Sequence, residues 1–372
     1  MRQLFLNRLD WVVVSCSFLL TALGLLVLYS SGIKAASVQS EIDTTRQLFY
    51  AGVGLICLIG FSRLDYRSLK SYVLPLSIVT MAALLAVELV GKAALGAQRW
   101  ITIGFFQFQP SEFSKLAFII VLAAFYARIY ERSHQLRYLV FSILILLPPL
   151  VLVVGQPDLG TGLVFIAIWL AMTLGSLVQK RYLLFGGLGM AALLPIVYQF
   201  LATYQKNRIV VLFNPQADRL GTGYNVTQSI IAVGSGGWFG RGLSSGSQSQ
   251  LNFLPSQHTD FIFAVLAEKL GFLGGLVTIG LFAILIARIF IVSTQSIDRF
   301  GSFLCIGIGS MLAFHVLINI GMNMGIMPVT GIPLPFISAG GTSMIVTMSL
   351  IGIVLSVAAH RDTKRQLKVE GI

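Results

Sequence analysis

The chain has 372 residues, 56% of them hydrophobic and only 11% charged, with a strongly positive mean hydropathy. That composition excludes a water-soluble globular domain and points to a polytopic membrane protein. The net charge of +12 follows from membrane topology and attraction to anionic head groups, so it calls for no nucleic acid.

Apolar stretches of spanning length, about 17 to 25 residues, run in chain order over 11 to 29, 47 to 62, 72 to 91, 111 to 129, 138 to 154, 160 to 178, 182 to 200, 262 to 290, 301 to 322 and 337 to 358. Ten spans put both termini on one side, and the distribution of Lys and Arg selects which. Sixteen cations fall in segments assigned to the cytoplasm: Arg2, Arg8, Arg63, Arg67, Lys70, Arg128, Arg132, Arg137, Lys180, Arg181, Arg288, Arg299, Arg361, Lys364, Arg365 and Lys368. Eight face outward, namely Lys34, Arg46, Lys92, Arg99, Lys206, Arg208, Arg219 and Arg241, while Lys115 and Lys269 lie within helix ends. The expected fold is an all-α integral membrane protein, a single polytopic domain with cytoplasmic termini. One long extracytoplasmic loop, residues 201–261, precedes the eighth span.

The first span starts at Trp11 and exceeds the apolar core of a cleaved signal peptide, about 7–15 residues, so it reads as a retained anchor. Cys16, Cys57 and Cys305 all fall within spans and imply neither a disulfide nor a metal cluster. Asn225-Val226-Thr227 matches a glycosylation sequon, but a match of this length arises often by chance.

Five segments that break the apolar pattern collect at the outward helix ends. The first is Gly96-Ala97-Gln98-Arg99-Trp100 followed by Gln109-Pro110-Ser111-Glu112-Phe113-Ser114-Lys115. Pro110 suits a first helical turn, Ser111 can cap, and Glu112 sits near the positive helix end. A cap and an ion pair would account for Glu112 and Lys115, three residues apart, yet an ionisable group opening an apolar membrane helix normally faces protein or a wet cavity.

The second is Gly155-Gln156-Pro157-Asp158-Leu159-Gly160-Thr161, where Asp158 is at once an N-cap and a candidate site residue. The third is the long loop, with Arg208, Asp218, Tyr224 and the glycine-rich run Gly234 to Gly242 around Trp238. Its Ile230 to Val233 patch is too short to span and reads as an interfacial or re-entrant helix. Its glycines allow close approach of backbone to a ligand. The fourth is Gln257-His258-Thr259-Asp260-Phe261, leading into an apolar helix that carries Glu268. Asp260 and Glu268 share a face if the helix starts that early. The fifth runs from Asn323 to Thr342, where three prolines and four glycines between Gly325 and Gly341 forbid a regular helix. It reads as cavity wall.

The ordered set QRW, QPSEFSK, QPDLGT, GYN with QS and GSGG, SQSQLNFLP, HTDFIFAVLAEKLG and PVTGIPLPFISAGG resembles the SEDS family (shape, elongation, division and sporulation), polytopic peptidoglycan glycosyltransferases, nearly end to end. Gln98 before Arg99, the Gly246-Ser247-Gln248-Ser249-Gln250 stretch and Gly331-Ile332-Pro333 resemble its elongation branch more than its division branch. The resemblance implies polymerisation of lipid II into a nascent glycan strand at the outer face of the bacterial cytoplasmic (inner) membrane during elongation. It also implies a class B penicillin-binding transpeptidase and elongation-complex membrane proteins as partners. It places the family's essential acid at Asp260, and the acid and base of its QPSE-K pattern at Glu112 and Lys115. Ser256 stands where the family usually has an acid two residues before its histidine, and Ala339 where it often has an aromatic.

Joining a sugar hydroxyl to an anomeric carbon with loss of a polyprenyl diphosphate needs a base and a cation. Asp260 is the candidate base, in a catalytic set with Glu112 and Lys115. Arg99, Lys115 and Arg208 are candidate cations for the leaving diphosphate, and Arg46, Asp158, His258 and Ser111 join Arg99 and Arg208 as candidate substrate contacts. Asp158 and Asp260 form an alternative pair of ligands for Mg²⁺ or Mn²⁺. A lipid II flippase, a division-type polymerase and a silent scaffold are the rival readings. A carrier should place its polar groups near the midplane, whereas these charges cluster at one rim.

Overall fold

The computed structural model describes residues 9–32, 38–90, 92–94, 97–103, 106–200, 203–218, 221–250 and 253–360. Arg2, Arg8, Lys34, Gly96, Arg219, Leu251, Asn252, Arg361, Lys364, Arg365 and Lys368, used above, lie outside the described residues. Twelve helices carry the fold among the described residues: α1 Trp11–Gly32, α2 Val38–Arg63, α3 Val73–Val90, α4 Pro110–Ile129, α5 Leu136–Gly155, α6 Leu159–Leu174, α7 Lys180–Phe200, α8 Thr203–Phe213, α9 Thr222–Ser235, α10 Ile262–Gln295, α11 Arg299–Asn323 and α12 Gly341–His360. A one-turn helix, Ser247–Gln250, and three short 3-10 turns complete them. Eight of the helical segments are long and apolar enough to cross a membrane, and α6 is a shorter apolar helix of 16 residues.

The expected all-α composition needs one addition. Between α3 and α4 an antiparallel sheet in the order β1 Lys92–Ala94, β2 Ala97–Ile103, β3 Phe106–Phe108 brings Trp100 opposite Lys92 and Ile101 opposite Phe108.

α11 and α12 are the most enclosed spans, and α12 packs most extensively on α2. In lipid this contact gains little from hydrophobic transfer and depends on close backbone approach. Gly352 provides it, since a Cβ there would stand 2.6 Å from Leu58 O. Gly24 of α1 likewise admits the segment after α11, with Ile337 Cα 2.7 Å from where a Cβ would sit. That segment, residues 324–340, is non-helical as its prolines require, and it carries Phe336 in the left-handed region at φ 66°.

The long apolar run that opens at Ile262 is not one straight helix. Gly271, at φ 72°, breaks α10 into Ile262–Leu270 and a longer remainder. The glycine-rich run after α9 docks on the break: Phe272 N donates to Gly237 O (2.8 Å), Leu273 N to Trp238 O (3.2 Å), Arg241 N to Glu268 O (3.0 Å) and Gly242 N to Lys269 O (3.2 Å). Backbone groups freed by the break are thus satisfied within the protein, as burial demands. The close backbone approach expected of these glycines is to α10. The face expected to join Asp260 and Glu268 does not form either, because the helix starts only at Ile262. Glu268 turns instead to the one-turn helix, where its oxygens accept from Gln248 N (2.8 Å) and Ser249 N (3.0 Å).

Candidate functional site

Asp260 lies on a tight turn that closes on Ser256, a residue at φ 52° whose carbonyl accepts from Thr259 N (3.1 Å) and Phe261 N (3.3 Å). Four bonds from outside pin the turn. Ser338 Oγ donates to Thr259 O (2.7 Å) and Ala339 N to His258 O (2.8 Å). The side-chain amides of Asn319 and Asn323 donate to Asp260 O at 3.1 and 3.0 Å.

Asp260 is partly exposed as a residue, and its carboxyl lies beside Gly331, where a Cβ would be 3.6 Å from Oδ2. Gly331 has φ 76°, so glycine is required there on backbone grounds as well. Burial pushes the Asp260 carboxyl above the ordinary aspartate value. Arg208, the Thr259 hydroxyl and Arg99 pull it back, and Asp158 adds to the rise.

Asp158 caps α6, as its sequence position allows, and also meets Arg99. As N-cap of α6 it accepts from Thr161 N (3.2 Å) and Thr161 Oγ1 (2.9 Å), and its Oδ1 faces Arg99 Nη1 at 3.7 Å. Arg99, on β2, also donates from Nε to Gln156 O (3.1 Å) and from Nη2 to Pro157 O. Much of its five-donor fork therefore holds the α5–α6 connection. Arg208, on α8, donates to Thr330 O (3.3 Å), the residue preceding Gly331.

Glu112 and Lys115 close on each other, Nζ to Oε1 2.7 Å, with Lys115 only 1% exposed. They lie in a second cluster, and its third member escaped the sequence reading: Lys115 Nζ reaches His315 Nε2 at 3.2 Å, and His315 Nδ1 meets Pro333 O at 3.0 Å. With an ammonium donating to Nε2, the ring proton belongs on Nδ1. Ser111 does not cap α4. The helix opens at Pro110 with Gln109 as cap residue, and Ser111 is buried in the first turn, its Oγ unpartnered. Arg46 and His258 line an adjacent recess of about 230 Å³ with Gln47, Tyr50, Trp100, Gln107 and Thr259.

Sequence-predicted residues thus sort into three places: Asp260 with Asp158, Arg99 and Arg208; Glu112 with Lys115; Arg46 with His258. Asn319 and Asn323 were missed alongside His315. Their signal was present as polar residues at a spacing of four inside an apolar span. Among the described residues no group of three or more His, Cys, Asp or Glu is arranged to hold a metal. Asp158 and Asp260 are thus joined by no third such residue, and the Asp158 oxygens already meet Thr161 and Arg99.

The sequence pattern of the FtsW/RodA/SpoVE family, described as cell cycle protein, matches residues 10–363. The peptidoglycan glycosyltransferase MrdB of Escherichia coli K12 is 38% identical over 353 residues, covering 95% of each chain. Stage V sporulation protein E of Bacillus subtilis is 36% identical, covering 94% of this chain and 97% of its own. A chain from a peptidoglycan synthase complex described as coordinating polymerization and crosslinking superposes with a TM-score of 0.79 at 33% identity, covering 95% and 98%.

Proposed function

Because the chain belongs to the FtsW/RodA/SpoVE family and is a peptidoglycan glycosyltransferase, we propose that it polymerises lipid II with Asp260 as general base. The observation that carries this assignment is the pinned turn: its backbone is fixed by four outside bonds, and its carboxyl feels the charges of Arg208 and Arg99.

In the reaction a hydroxyl of one lipid-linked sugar attacks the anomeric carbon of another. A new C–O bond forms, the bond to the diphosphate breaks, and the hydroxyl proton passes to Asp260. The raised pKa makes Asp260 a stronger base than a free aspartate, in the direction of the operating pH. Arg208 and Arg99 face the charge that gathers on the departing diphosphate, and Asp158 orients Arg99. In the alternative in which Asp260 is a ligand, a divalent cation held by it and Asp158 would supply charge for the same diphosphate. Arg46 and His258, which line the neighbouring recess, would take part of the second sugar unit.

We assign ten spans with cytoplasmic termini, so that the 201–261 loop and Asp260 face outward from the bacterial cytoplasmic membrane. A class B penicillin-binding transpeptidase and other elongation-complex membrane proteins are the proposed partners, in keeping with the synthase complex whose chain this fold resembles.

Purified protein incubated with labelled lipid II should yield glycan strands resolvable by length, and Asp260→Ala and Asp260→Asn should each lose about 10²–10⁴ in rate. Residual activity that moves with added Mg²⁺ in Asp260→Asn would transfer the residue from base to metal ligand. Transport of lipid II across vesicles without any strand growth would sink the polymerase reading.

A further inference from the structure

α11 carries three buried polar side chains in an apolar span: His315 (2% exposed), Asn319 and Asn323 (both 0%). They sit four residues apart, hence on one face, and their bonds reach several other segments of the chain. His315 joins Lys115 and Pro333 O. Asn319 Nδ2 donates to Ile332 O (2.8 Å) and Asp260 O (3.1 Å). Asn323 Nδ2 donates to Asp260 O (3.0 Å) and Asn319 O (2.8 Å), while its Oδ1 accepts from Ala264 N (3.0 Å) and its carbonyl from Ser229 Oγ (2.9 Å).

Buried amides in a span are costly unless their partners are complete, a demand that an apolar side chain would not make. What the amides add is direction. Two donors from successive turns converge on one carbonyl, that of Asp260, and occupy both of its lone pairs. The Asp260 peptide plane is held from two points, and with it the bond that carries the carboxyl.

Resting on the reading of Asp260 as base, we propose that His315, Asn319 and Asn323 form a positioning spine, which aims the Asp260 carboxyl and couples it to the Glu112–Lys115 pair. The pair lies about one turn, roughly 6 Å of helix rise, from the Asn319 contact. Its part in the reaction is then mechanical: Lys115 locks His315, His315 holds the 332–333 backbone through Pro333, and Asn319 ties the neighbouring Ile332 carbonyl to Asp260. The pair and the acid become two ends of one hydrogen-bonded unit.

The test measures kcat and KM for lipid II polymerisation by the purified full-length protein. Asn319→Leu removes the amide while keeping a side chain of the same branching and should lower kcat about 10- to 100-fold, with KM within about twofold and the folded fraction unchanged by size exclusion. Asn319→Gln keeps the amide but displaces it by a methylene. It should fold and still lose kcat, which preserves the test if the leucine variant does not fold. Lys115→Met combined with Asn319→Leu should lose less than the product of the two single losses, because both act through one carbonyl.

Unchanged kcat in whichever Asn319 variant folds overturns the spine, as does a loss that tracks only the unfolded fraction. A full product of losses overturns the coupling to Lys115. Full activity in Asp260→Ala overturns instead the base assignment, a result distinct from an active Asn319→Leu beside an inactive Asp260→Ala.

Discussion

Asp260 sits where its charge is costly. Its folded pKa is raised by burial above the unfolded value, so between the two the folded state binds more protons, and stability falls as pH rises through that window. Asp260→Asn has no charge to desolvate and should melt higher than wild type at pH 7 in a thermal scan, with the difference closing below the ordinary aspartate range of about 3.9. An equal or lower melting point at pH 7 would show the carboxylate to be fully compensated in place. The acid was legible in the sequence because a carboxyl at the edge of an apolar helix is rare. Its holders, Asn319 and Asn323, were not, because hydropathy registers a polar residue in a span but not the carbonyl it will meet. Ser111 misled for a related reason: as a residue type it suits a cap, but Pro110 had already taken the first helical position.

At the scale of elements, the break in α10 is the feature that pattern reading could not supply. An apolar run from Ile262 onward satisfies the membrane whether straight or broken, and a lone glycine is tolerated in either case. Only the docked glycine-rich run reveals that Gly271 has left-handed backbone, where a side chain costs about 1–3 kcal/mol before any clash. Phe239 and Gly240 backbone atoms also occupy the space a Cβ would need. Gly271→Ala should therefore lower the melting temperature in detergent by several degrees. Gly280→Ala, on the same helix with open space around its Cβ position, should leave it unchanged or slightly higher. Equal effects at the two sites would remove the argument for a backbone requirement at Gly271. The β1–β3 sheet was missed for a simpler reason: β1 and β3 have three residues each, below any readable periodicity, and β2 has no readable partner without them.

For the whole molecule, helical membrane character follows from composition, whereas orientation rests on the charge asymmetry of the connecting segments. The outward assignment makes a labelling prediction. With Cys57 replaced by serine, a cysteine at the exposed Trp238 should react with a membrane-impermeant maleimide in cells whose cytoplasmic membrane is intact. One at the exposed Arg137 should react only after permeabilisation, and the reverse pattern would invert the topology.

The pinned turn also has an entropic meaning at this scale. Ordering the backbone of one residue costs about 1–2 kcal/mol, and residues 256–261 are ordered by their own protein before any sugar arrives. That cost is met once, in folding, and the substrate's binding energy is left for the diphosphate and the sugar.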